Sequence, residues 1–335
     1  MTANKKPIIE EILPNFYRVE IPLPDNPLRS INSYMIKSPE RNLIIDTGMN
    51  RSLCFNAISE AVRELGINLN KTDFFITHFH FDHIGLVSRL FSPNSKCYFN
   101  SPESYETRFF TLTDWVNKAM SLASLHGFFE AWSNDIKAEI AIEEDHYHII
   151  YPEFTIVKEG DIINAGDYSF KCIETPGHSL CHICLYDESR RILISGDHVL
   201  GDISPNISSR LNDEDPLMEY LSSLDKISGL DVTLCLPGHR SIIKNFHSRV
   251  SELKQHHEER LNEILDILNT QNQNTYQIAS QMKWDMSYDT MEEFPVFQKW
   301  FAFSEALSHL RYLESLNKVI RITCTDKHII YSKKN

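Results

Sequence analysis

The sequence predicts a layered α/β fold followed by a small C-terminal domain. In the first hundred residues, short apolar runs typical of strands alternate with amphipathic helix patterns, which is the usual order of an α/β domain. The chain has 335 residues, of which 42% are hydrophobic, and is therefore long enough to bury a large core in about two domains. A polar break at 271–274 (Gln-Asn-Gln-Asn) separates the tail from the preceding helix.

The N-terminal region is predicted to contain strands on either side of an amphipathic helix. Apolar residues at 54, 58, 61, 62 and 65 share one face of a helix over 53–65, and a further helix begins at 86. The apolar run before residue 78 predicts a buried strand that leads directly into a cluster of histidines. The strands are predicted at 16–21, 32–36, 42–46, 73–77 and 97–99.

Residues 101–140 are rich in aromatic side chains, and we expect a helical insertion there. Ser101-Pro102-Glu103 is typical of a helix start, because proline is well placed in the first turn. Two helices are expected, with most of their rings packed into a core of their own. The aromatic side chains are Tyr105, Phe109, Phe110, Trp115, Phe128, Phe129 and Trp132.

Strands resume after the insertion, and a long amphipathic helix over 246–270 ends the first predicted domain, residues 1–270. The further strands are predicted at 151–157, 168–174, 182–186, 192–195 and 233–236. The tail, 271–335, combines two predicted helices with a hairpin and resembles a winged helix in outline. Its elements are expected at 276–282, 297–316, 319–323 and 329–331.

Charge and composition limit the classes of partner. With 33 basic against 46 acidic residues the net charge is −13, which disfavours a broad nucleic-acid interface. The seven scattered cysteines indicate reduced thiols, and we expect a cytoplasmic protein without a signal peptide or membrane span. The aromatic residues of the tail would suit a homodimer interface.

Histidine and aspartate residues follow the ends of four predicted strands. Zinc prefers imidazole nitrogen and carboxylate oxygen, and glycine or proline before three of these motifs permits the tight turns that would direct the side chains to one sheet edge. Five histidines and two aspartates are enough for two metal ions. These candidate ligands are His78, His80, Asp82, His83, His178, Asp197 and His239.

The His-x-His-x-Asp-His motif and the later strand-end motifs resemble those of the metallo-β-lactamase superfamily. This resemblance implies an αββα sandwich with the site at one edge of its two mixed sheets. It also implies a cofactor of two divalent metal ions, with zinc favoured and iron or manganese as alternatives. By resemblance, the first ion would be held by His78, His80 and His178, the second by Asp82, His83 and His239, and Asp197 would bridge them.

Three further residues are expected to support the metal ligands. Asp46, in Ile-Asp-Thr-Gly, matches an acidic motif of the superfamily that orients the metal loop. His182 and His198 lie close in sequence to His178 and Asp197, and we expect both to stand behind the ligands. In Cys181-His182-Ile183-Cys184 strand alternation turns the two thiols to opposite faces, so we assign them a packing role.

The tail and the later motifs resemble a branch that includes a β-lactamase-like endoribonuclease and hydrolases similar to glyoxalase II. The resemblance implies hydrolysis of a small acyl compound, a thioester, lactone or other ester, by a hydroxide that bridges the metals. Asp82 would accept the proton of the attacking water. Three alternatives stay open: a single-strand RNA nuclease, a mononuclear-iron enzyme like the sulfur dioxygenases, and a non-catalytic metal-bound sensor.

Overall fold

The strands of the protein form two large sheets and a hairpin. The computed structural model describes residues 6–24, 26–100, 112–128 (side chains from 117), 151–210, 214–325 and 327–334. The first sheet contains β1 (Ile8–Leu13), β2 (Phe16–Pro22), β3 (Ser30–Ile36), β4 (Asn42–Ile45), β5 (Thr72–Phe75), β6 (Cys97–Asn100) and β7 (Phe154–Val157). The second contains β8 (Ile162–Ala165), β9 (Tyr168–Glu174), β10 (Ile183–Asp187), β11 (Ile192–Gly196) and β12 (Leu234–Pro237), and the hairpin is β13 (Val319–Thr323) with β14 (Ile329–Lys333).

Eight α-helices and two 3-10 turns connect these strands within the described residues. The helices are α1 (Ser52–Glu64), α2 (Phe81–Ile84), α3 (Val87–Leu90), α4 (Leu112–Leu125), α5 (Pro216–Ser228), α6 (Phe246–Ile267), α7 (Thr275–Ala279) and α8 (Val296–Ser315). The 3-10 turns are Leu69–Lys71 and Met291–Glu293. In the part of the chain that is described, no helix combines the length and the apolar character needed to cross a membrane.

Both sheets are mixed, and their parallel pairs place the candidate ligands. In the first sheet β1 to β4 are antiparallel, whereas β4, β5, β6 and β7 are parallel. In the second sheet only β11 and β12 pair in parallel. Because neighbouring parallel strands end at the same sheet edge, the segments that follow β4 and β5 lie side by side, as do those that follow β11 and β12.

Apolar side chains fill the space between the two sheets and the space between the first sheet and α1. Phe75 of the first sheet and Phe170 of the second belong to one buried cluster, and both side chains are fully buried. On the opposite face of the first sheet, Phe74 packs in a second cluster with Ile58 and Ala61 of α1. The predicted α/β fold, two mixed sheets with helices outside, is confirmed.

By packing, the chain divides into two units. The first consists of Met1–Glu106, His146–Pro205 and Ser223–Val250, and the second of Thr107–Asp145, Asn206–Ser222 and Ser251–Asn335. The core of the second unit contains Ile264 and Leu268, so it includes chain before residue 271. The winged-helix assignment and the domain boundary at 271 stay predictions.

The inward face predicted for the long helix of the tail is buried in the core of the second unit. Its residues are Trp300, Phe303, Leu307, Leu310 and Leu313, and none is more than 4% exposed. Of the predicted insertion, the structure describes α4 and Phe128, which packs in the same core. The side chains of Tyr105, Phe109, Phe110, Trp115, Phe129 and Trp132 lie outside the described residues.

Candidate metal centre

The four segments that carry the candidate ligands meet at one edge of the sandwich. His78, His80, Asp82 and His83 follow β5, and the other three ligands follow β9, β11 and β12 of the second sheet. The backbone connects the two sheets here: Ile183 N–H donates to Thr77 O at 3.0 Å, and Asn32 N–H donates to Gly238 O at 2.7 Å. The packing of the sheets therefore determines the distances between the ligand groups.

The first group consists of three imidazoles. His80 Nδ1 lies 2.9 Å from His78 Nε2 and 3.1 Å from His178 Nε2. Nitrogens that bind one zinc ion tetrahedrally, at about 2.0–2.1 Å from the metal, lie about 3.3–3.4 Å from each other. His80 Nδ1 thus lies, from each of the other two nitrogens, within a few tenths of an ångström of the spacing that a bound zinc ion requires.

The second group combines carboxylates with imidazoles. Asp82 Oδ2 lies 3.3 Å from His239 Nε2 and 4.0 Å from His83 Nε2. Asp197 stands between the groups, because its Oδ1 is 3.5 Å from His83 Nε2 and its Oδ2 is 3.7 Å from His178 Nε2. The ligand atoms of each group lie within 4.8 Å of one another.

Hydrogen bonds on the outer ring nitrogens direct the inner nitrogens toward the centre. His239 Nδ1 must carry a proton, because its partner at 2.7 Å is the backbone carbonyl of Ser30. His83 Nδ1–H donates to Asp46 Oδ2 at 2.7 Å. Both Nε2 atoms therefore face the interior of the site, as in metal sites whose imidazoles are oriented by an outer hydrogen bond.

Thr77 supplies the corresponding contact for His78. The Thr77 hydroxyl donates to Asp46 Oδ2 at 2.8 Å, and so accepts from His78 Nδ1 at 3.0 Å. Asp46 also accepts from Thr77 N–H at 2.9 Å through its other oxygen. One buried carboxylate thus orients a histidine of each group, directly for His83 and through Thr77 for His78.

Buried atoms without a partner indicate that the site is built for a cation. Among the described residues, His83 Nε2, His239 Nε2 and Asp197 Oδ1 are buried and have no hydrogen-bond partner. Leaving such atoms unpaired costs about 1–3 kcal/mol each. Three such atoms in one site, on residues of the type that zinc selects, fit one or more divalent metal ions.

Titration behaviour differs between the two groups. Burial and the neighbouring histidines hold the pKa of His78 well below its ordinary value. Desolvation of the His80 ring by the groups packed around it, together with the charge of His178, lowers the pKa of His80 to about 3, although the residue keeps an exposed surface. Both imidazoles are therefore neutral at physiological pH. A neutral imidazole has a free lone pair, which is the form that binds a metal.

In the second group the carboxylates and imidazoles share charge. Burial alone would lower the pKa of His239, but the charges of Asp197 and Asp82 outweigh it and raise the pKa to about 10. Burial likewise acts to raise the pKa of Asp82, but His83 and His239 hold it below its ordinary range. Protons on these imidazoles thus neutralise the carboxylates, and a bound cation would replace them.

The sequence as a whole matches a known family. The model of the metallo-beta-lactamase superfamily matches residues 26–239, which is more than half of the chain and includes all seven candidate ligands. The chain belongs to the metallo-beta-lactamase superfamily. The resemblance predicted from the strand-end motifs is therefore confirmed.

Other members of the superfamily match most of the chain at low identity. The probable metallo-hydrolase YqjP of Bacillus subtilis is 26% identical over 84% of this chain and 87% of its own length. An atrochrysone carboxyl ACP thioesterase of Aspergillus fumigatus is 23% identical over 73% of this chain and 62% of its own. The match covers 57% to 66% of the length of several fungal lactamase-like relatives.

A solved superfamily structure confirms the fold over nearly the whole chain. A metallo-beta-lactamase family protein of Thermus thermophilus superposes with a TM-score of 0.82 at 24% identity, and covers 97% of this chain and 100% of its own. At this identity the superposition concerns the fold alone.

The structure brings together all seven candidate ligands of this superfamily member. The two histidines that were expected to support them, His182 and His198, have different positions. His182 Nε2 accepts the backbone N–H of Asp197 at 3.1 Å, and its Nδ1–H donates to the Thr175 hydroxyl at 2.8 Å. His198 is fully buried with its ring centroid 5.8 Å from that of His182. His182 thus positions Asp197, whereas His198 packs behind His182. The ligand roles themselves stay predictions.

Two further residues, Asn32 and Gly238, shape the site. Asn32 is 1% exposed, and its side-chain amide donates to Pro237 O and Arg240 O at 3.0 Å each, which holds the segment that carries His239. Gly238 lies against Asp197 and His83 so closely that a Cβ there would meet Asp197 Oδ1 and lie 2.8 Å from His83 Cε1. A glycine directly before a ligand was the one available signal for this close approach.

Proposed function

We propose that this protein is a hydrolase of acyl thioesters that uses two divalent metal ions, with zinc as the favoured metal. The position of Asp197 carries the proposal. Its Oδ1 lies 3.5 Å from His83 Nε2, and its Oδ2 lies 3.7 Å from His178 Nε2 and 3.4 Å from His239 Nε2. A carboxylate that faces two ligand groups at once suits two adjacent ions better than one.

The proposed ligand sets follow from the two groups. His78, His80 and His178 would hold one ion, and Asp82, His83 and His239 the other, with Asp197 shared. When bound, such ions supply a nucleophile at neutral pH, because a cation lowers the pKa of water from 15.7 to about 7, and they polarise the carbonyl of the substrate.

Asp82 is the residue best placed to take the proton of the attacking water. Its side chain is 15% exposed, whereas that of Asp197 is 7% exposed. The charges of His83 and His239 hold the pKa of Asp82 below its ordinary range, so it is ionised at neutral pH. Asp82 can therefore accept a proton and exchange it with solvent, whereas Asp197 is enclosed among the ligands.

A thioester is favoured as substrate over the other acyl compounds. One relative carries the name of an acyl-carrier-protein thioesterase. The net charge of −13 disfavours the RNA nuclease, since a basic channel for phosphates is required there. Lactones and simple esters undergo the same attack on a carbonyl and belong in the same test.

The test is hydrolysis by purified, zinc-loaded protein of an acyl thioester, a lactone and a single-stranded RNA, with a chelator-treated sample beside each. We expect chelator-sensitive cleavage of the thioester. His80→Ala should abolish it without unfolding the protein, because His80 is an exposed residue. His328→Ala, at an exposed position of the tail, is the matched control and should retain activity.

The outcomes separate the alternatives. Cleavage of RNA alone, or thioester hydrolysis that His80→Ala leaves unchanged, would overturn the proposal. No turnover with a full complement of bound metal would favour a sensor. A single iron per chain after expression without added metal would favour oxidation chemistry.

A further inference from the structure

A cleft beside His239 differs in charge from the rest of the molecule. It encloses about 610 Å³ within the first packing unit, between edge strand β1 of one sheet and edge strand β12 of the other. Four basic and three acidic side chains line it, although acidic residues exceed basic ones by 13 over the whole chain. The volume is in the usual range for a small-molecule site.

The acidic side chains of the cleft already have partners. Arg18 Nη2 lies 2.9 Å from a Glu10 oxygen and 3.1 Å from a Glu20 oxygen. Glu11 Oε1 accepts the backbone N–H of Asn15 at 2.9 Å. Arg18 therefore compensates one of the three carboxylate charges, and the four basic and three acidic side chains leave the cleft as a whole with a net charge of +1.

The basic side chains of the opposite wall have no such partners. Within the described residues, Arg29, Arg240 and Lys244 form no ion pair with a carboxylate. The Arg240 guanidinium donates to Pro27 O at 2.9 Å, and its Nε is buried without a partner. Arg29 and Lys244 are exposed. This wall presents three cations that the protein itself does not neutralise.

Backbone conformation adds an independent observation. Arg29 and Arg240 both have positive φ, 69° and 63°, which is a region that few residues other than glycine adopt. Strained positions of this kind concentrate at functional sites. Both also adjoin the metal centre: Arg240 follows His239, and Arg29 precedes Ser30, whose carbonyl holds His239 Nδ1.

We infer that this cleft binds the phosphate of the group that carries the acyl chain, so that the substrates are thioesters of a phosphorylated pantetheine. Arginine matches phosphate oxygens with a fork of donors, and lysine adds a compact charge. Ser30 lines the cleft and its carbonyl accepts from His239 Nδ1, while His239 Nε2 lies 3.3 Å from Asp82 and 3.4 Å from Asp197. A pantetheine arm, long and flexible between its phosphate and its sulfur, would run from the cleft around this buried ring to a carbonyl at the metal ligands. The inference rests on the proposed thioester hydrolysis.

Coenzyme A and the phosphopantetheine of an acyl carrier protein both carry a phosphate on a pantetheine arm. Two variants test whether the cleft binds that phosphate. The cleft variant combines Arg29→Gly with Lys244→Ala. Glycine at position 29 removes the charge and can still adopt the left-handed backbone conformation of Arg29. The matched control combines Arg191→Gly, also at positive φ (56°), with Lys171→Ala; both are outside the cleft. Binding of coenzyme A to zinc-loaded protein is measured by calorimetry, which needs no turnover.

We expect the cleft variant to bind coenzyme A at least about tenfold more weakly than the wild type, with the control within about twofold. Raising the salt concentration should weaken wild-type binding more than that of the cleft variant. Equal affinity of the wild type and the cleft variant would overturn the inference. So would a failure of the wild type to bind either coenzyme A or a phosphopantetheinyl carrier protein.

Kinetics with one acyl group on four carriers then identify the source. The cleft variant should have a higher KM than the wild type for acyl coenzyme A, for the acyl carrier protein, or for both. Its KM for the N-acetylcysteamine thioester, which has no phosphate, should be unchanged. If the cleft variant raised KM only for the glutathione thioester, the basic wall would bind substrate carboxylates, and the inference that it binds a phosphate would be refuted. Coenzyme A binding that depends on the cleft, with no thioester hydrolysed, would refute the proposed function and leave the cleft as a phosphate site.

Discussion

Replacing Gly238 with alanine tests whether the close approach of two strand ends determines the metal centre. A Cβ at this position would meet Asp197 Oδ1 and lie 2.8 Å from His83 Cε1. Carbon atoms in contact prefer about 3.5–4.0 Å, so a shift of about 0.7 Å or more is required. Since Gly238 N–H donates to Gly196 O at 2.8 Å and its carbonyl accepts from Asn32, the backbone is held and the ligand side chains must move.

A displacement of this size exceeds what a metal site tolerates. Ligand distances are defined to about 0.2 Å, and changes in the residues that orient ligands typically cost 10–100-fold in metal affinity. We therefore expect Gly238→Ala to bind zinc about 10–100-fold more weakly, equivalent to about 1.4–2.8 kcal/mol. Overpacking would lower the free energy of unfolding of the metal-free protein by about 1–3 kcal/mol.

Competition with a chromogenic chelator measures the affinity, and urea unfolding of the metal-free protein measures the stability. Gly229→Ala is the matched control, because the nearest atom to its Cβ would be Lys226 O at 3.7 Å, which is ordinary contact. We expect it to bind zinc as the wild type does. Wild-type zinc affinity in Gly238→Ala, with Gly229→Ala also unchanged, would show that the site adapts and would refute the reasoning.

Three further predictions concern the groups around the ligands. Asp46→Asn removes the carboxylate that accepts from His83 Nδ1–H, and chelator competition should show zinc affinity lowered about 10–100-fold. His182→Leu removes the acceptor for the buried N–H of Asp197, which should cost about 1–3 kcal/mol in urea unfolding and also weaken zinc binding. The raised pKa of His239, about 10 against an ordinary 6.5, makes its stabilisation of the metal-free protein complete below pH 6.5 and lost as pH rises through 10. Since zinc must displace that proton, affinity should rise with pH over the same interval, as measured by competition from pH 6.5 upward.

Controls for these predictions use buried residues of the same type elsewhere. Asp187→Asn changes a carboxylate that accepts from Ser189 and Arg190, and it should lower stability with no change in zinc affinity. His257→Leu breaks a buried contact with His309 in the second unit and should act the same way. Equal loss of zinc affinity in a control and in the matching site variant would contradict the assigned contacts. A zinc affinity independent of pH would contradict the proton displacement.

Local patterns predicted most strands, but not where the chain leaves a sheet. The strand expected to end at Thr77 ends at Phe75 in the observed β5. Ile76 N–H still donates to Tyr98 O, but Thr77 N–H donates to the Asp46 carboxylate. A side chain 31 residues away thus replaces the neighbouring strand as acceptor, and hydrophobic periodicity carries no information about such a contact.

Among the elements that were not predicted, β1 and α5 were missed for different reasons. The strand β1 is an edge strand with two adjacent glutamates and an exposed Ile8, so its pattern of burial is weak. The helix α5 did have a start signal in Asp215-Pro216, and Met218 N–H donates to the Asp215 carboxylate at 3.0 Å. The first omission reflects a physical ambiguity, whereas the second signal was present in the sequence.

The candidate ligands could be predicted because metal chemistry restricts the residue types, but their orientation could not. The contact that orients His239 is a backbone carbonyl, that of Ser30, 209 residues away in sequence. Every residue has such a carbonyl, so no residue type marks it. The role of Asp46 was predictable only because its Ile-Asp-Thr-Gly segment resembles an acidic motif of the superfamily.

The division of ligands between the sheets explains why the site depends on the whole sandwich. The segment after β5 supplies two residues to each group, and the second sheet supplies the third residue of each, His178 and His239, together with Asp197. Neither sheet alone completes a group. The cluster between the sheets, with Phe75 on one side and Phe170 on the other, fixes the distance between the two contributions. Metal binding should therefore stabilise the packed sandwich in proportion to its affinity, since the unfolded chain holds no complete ligand group.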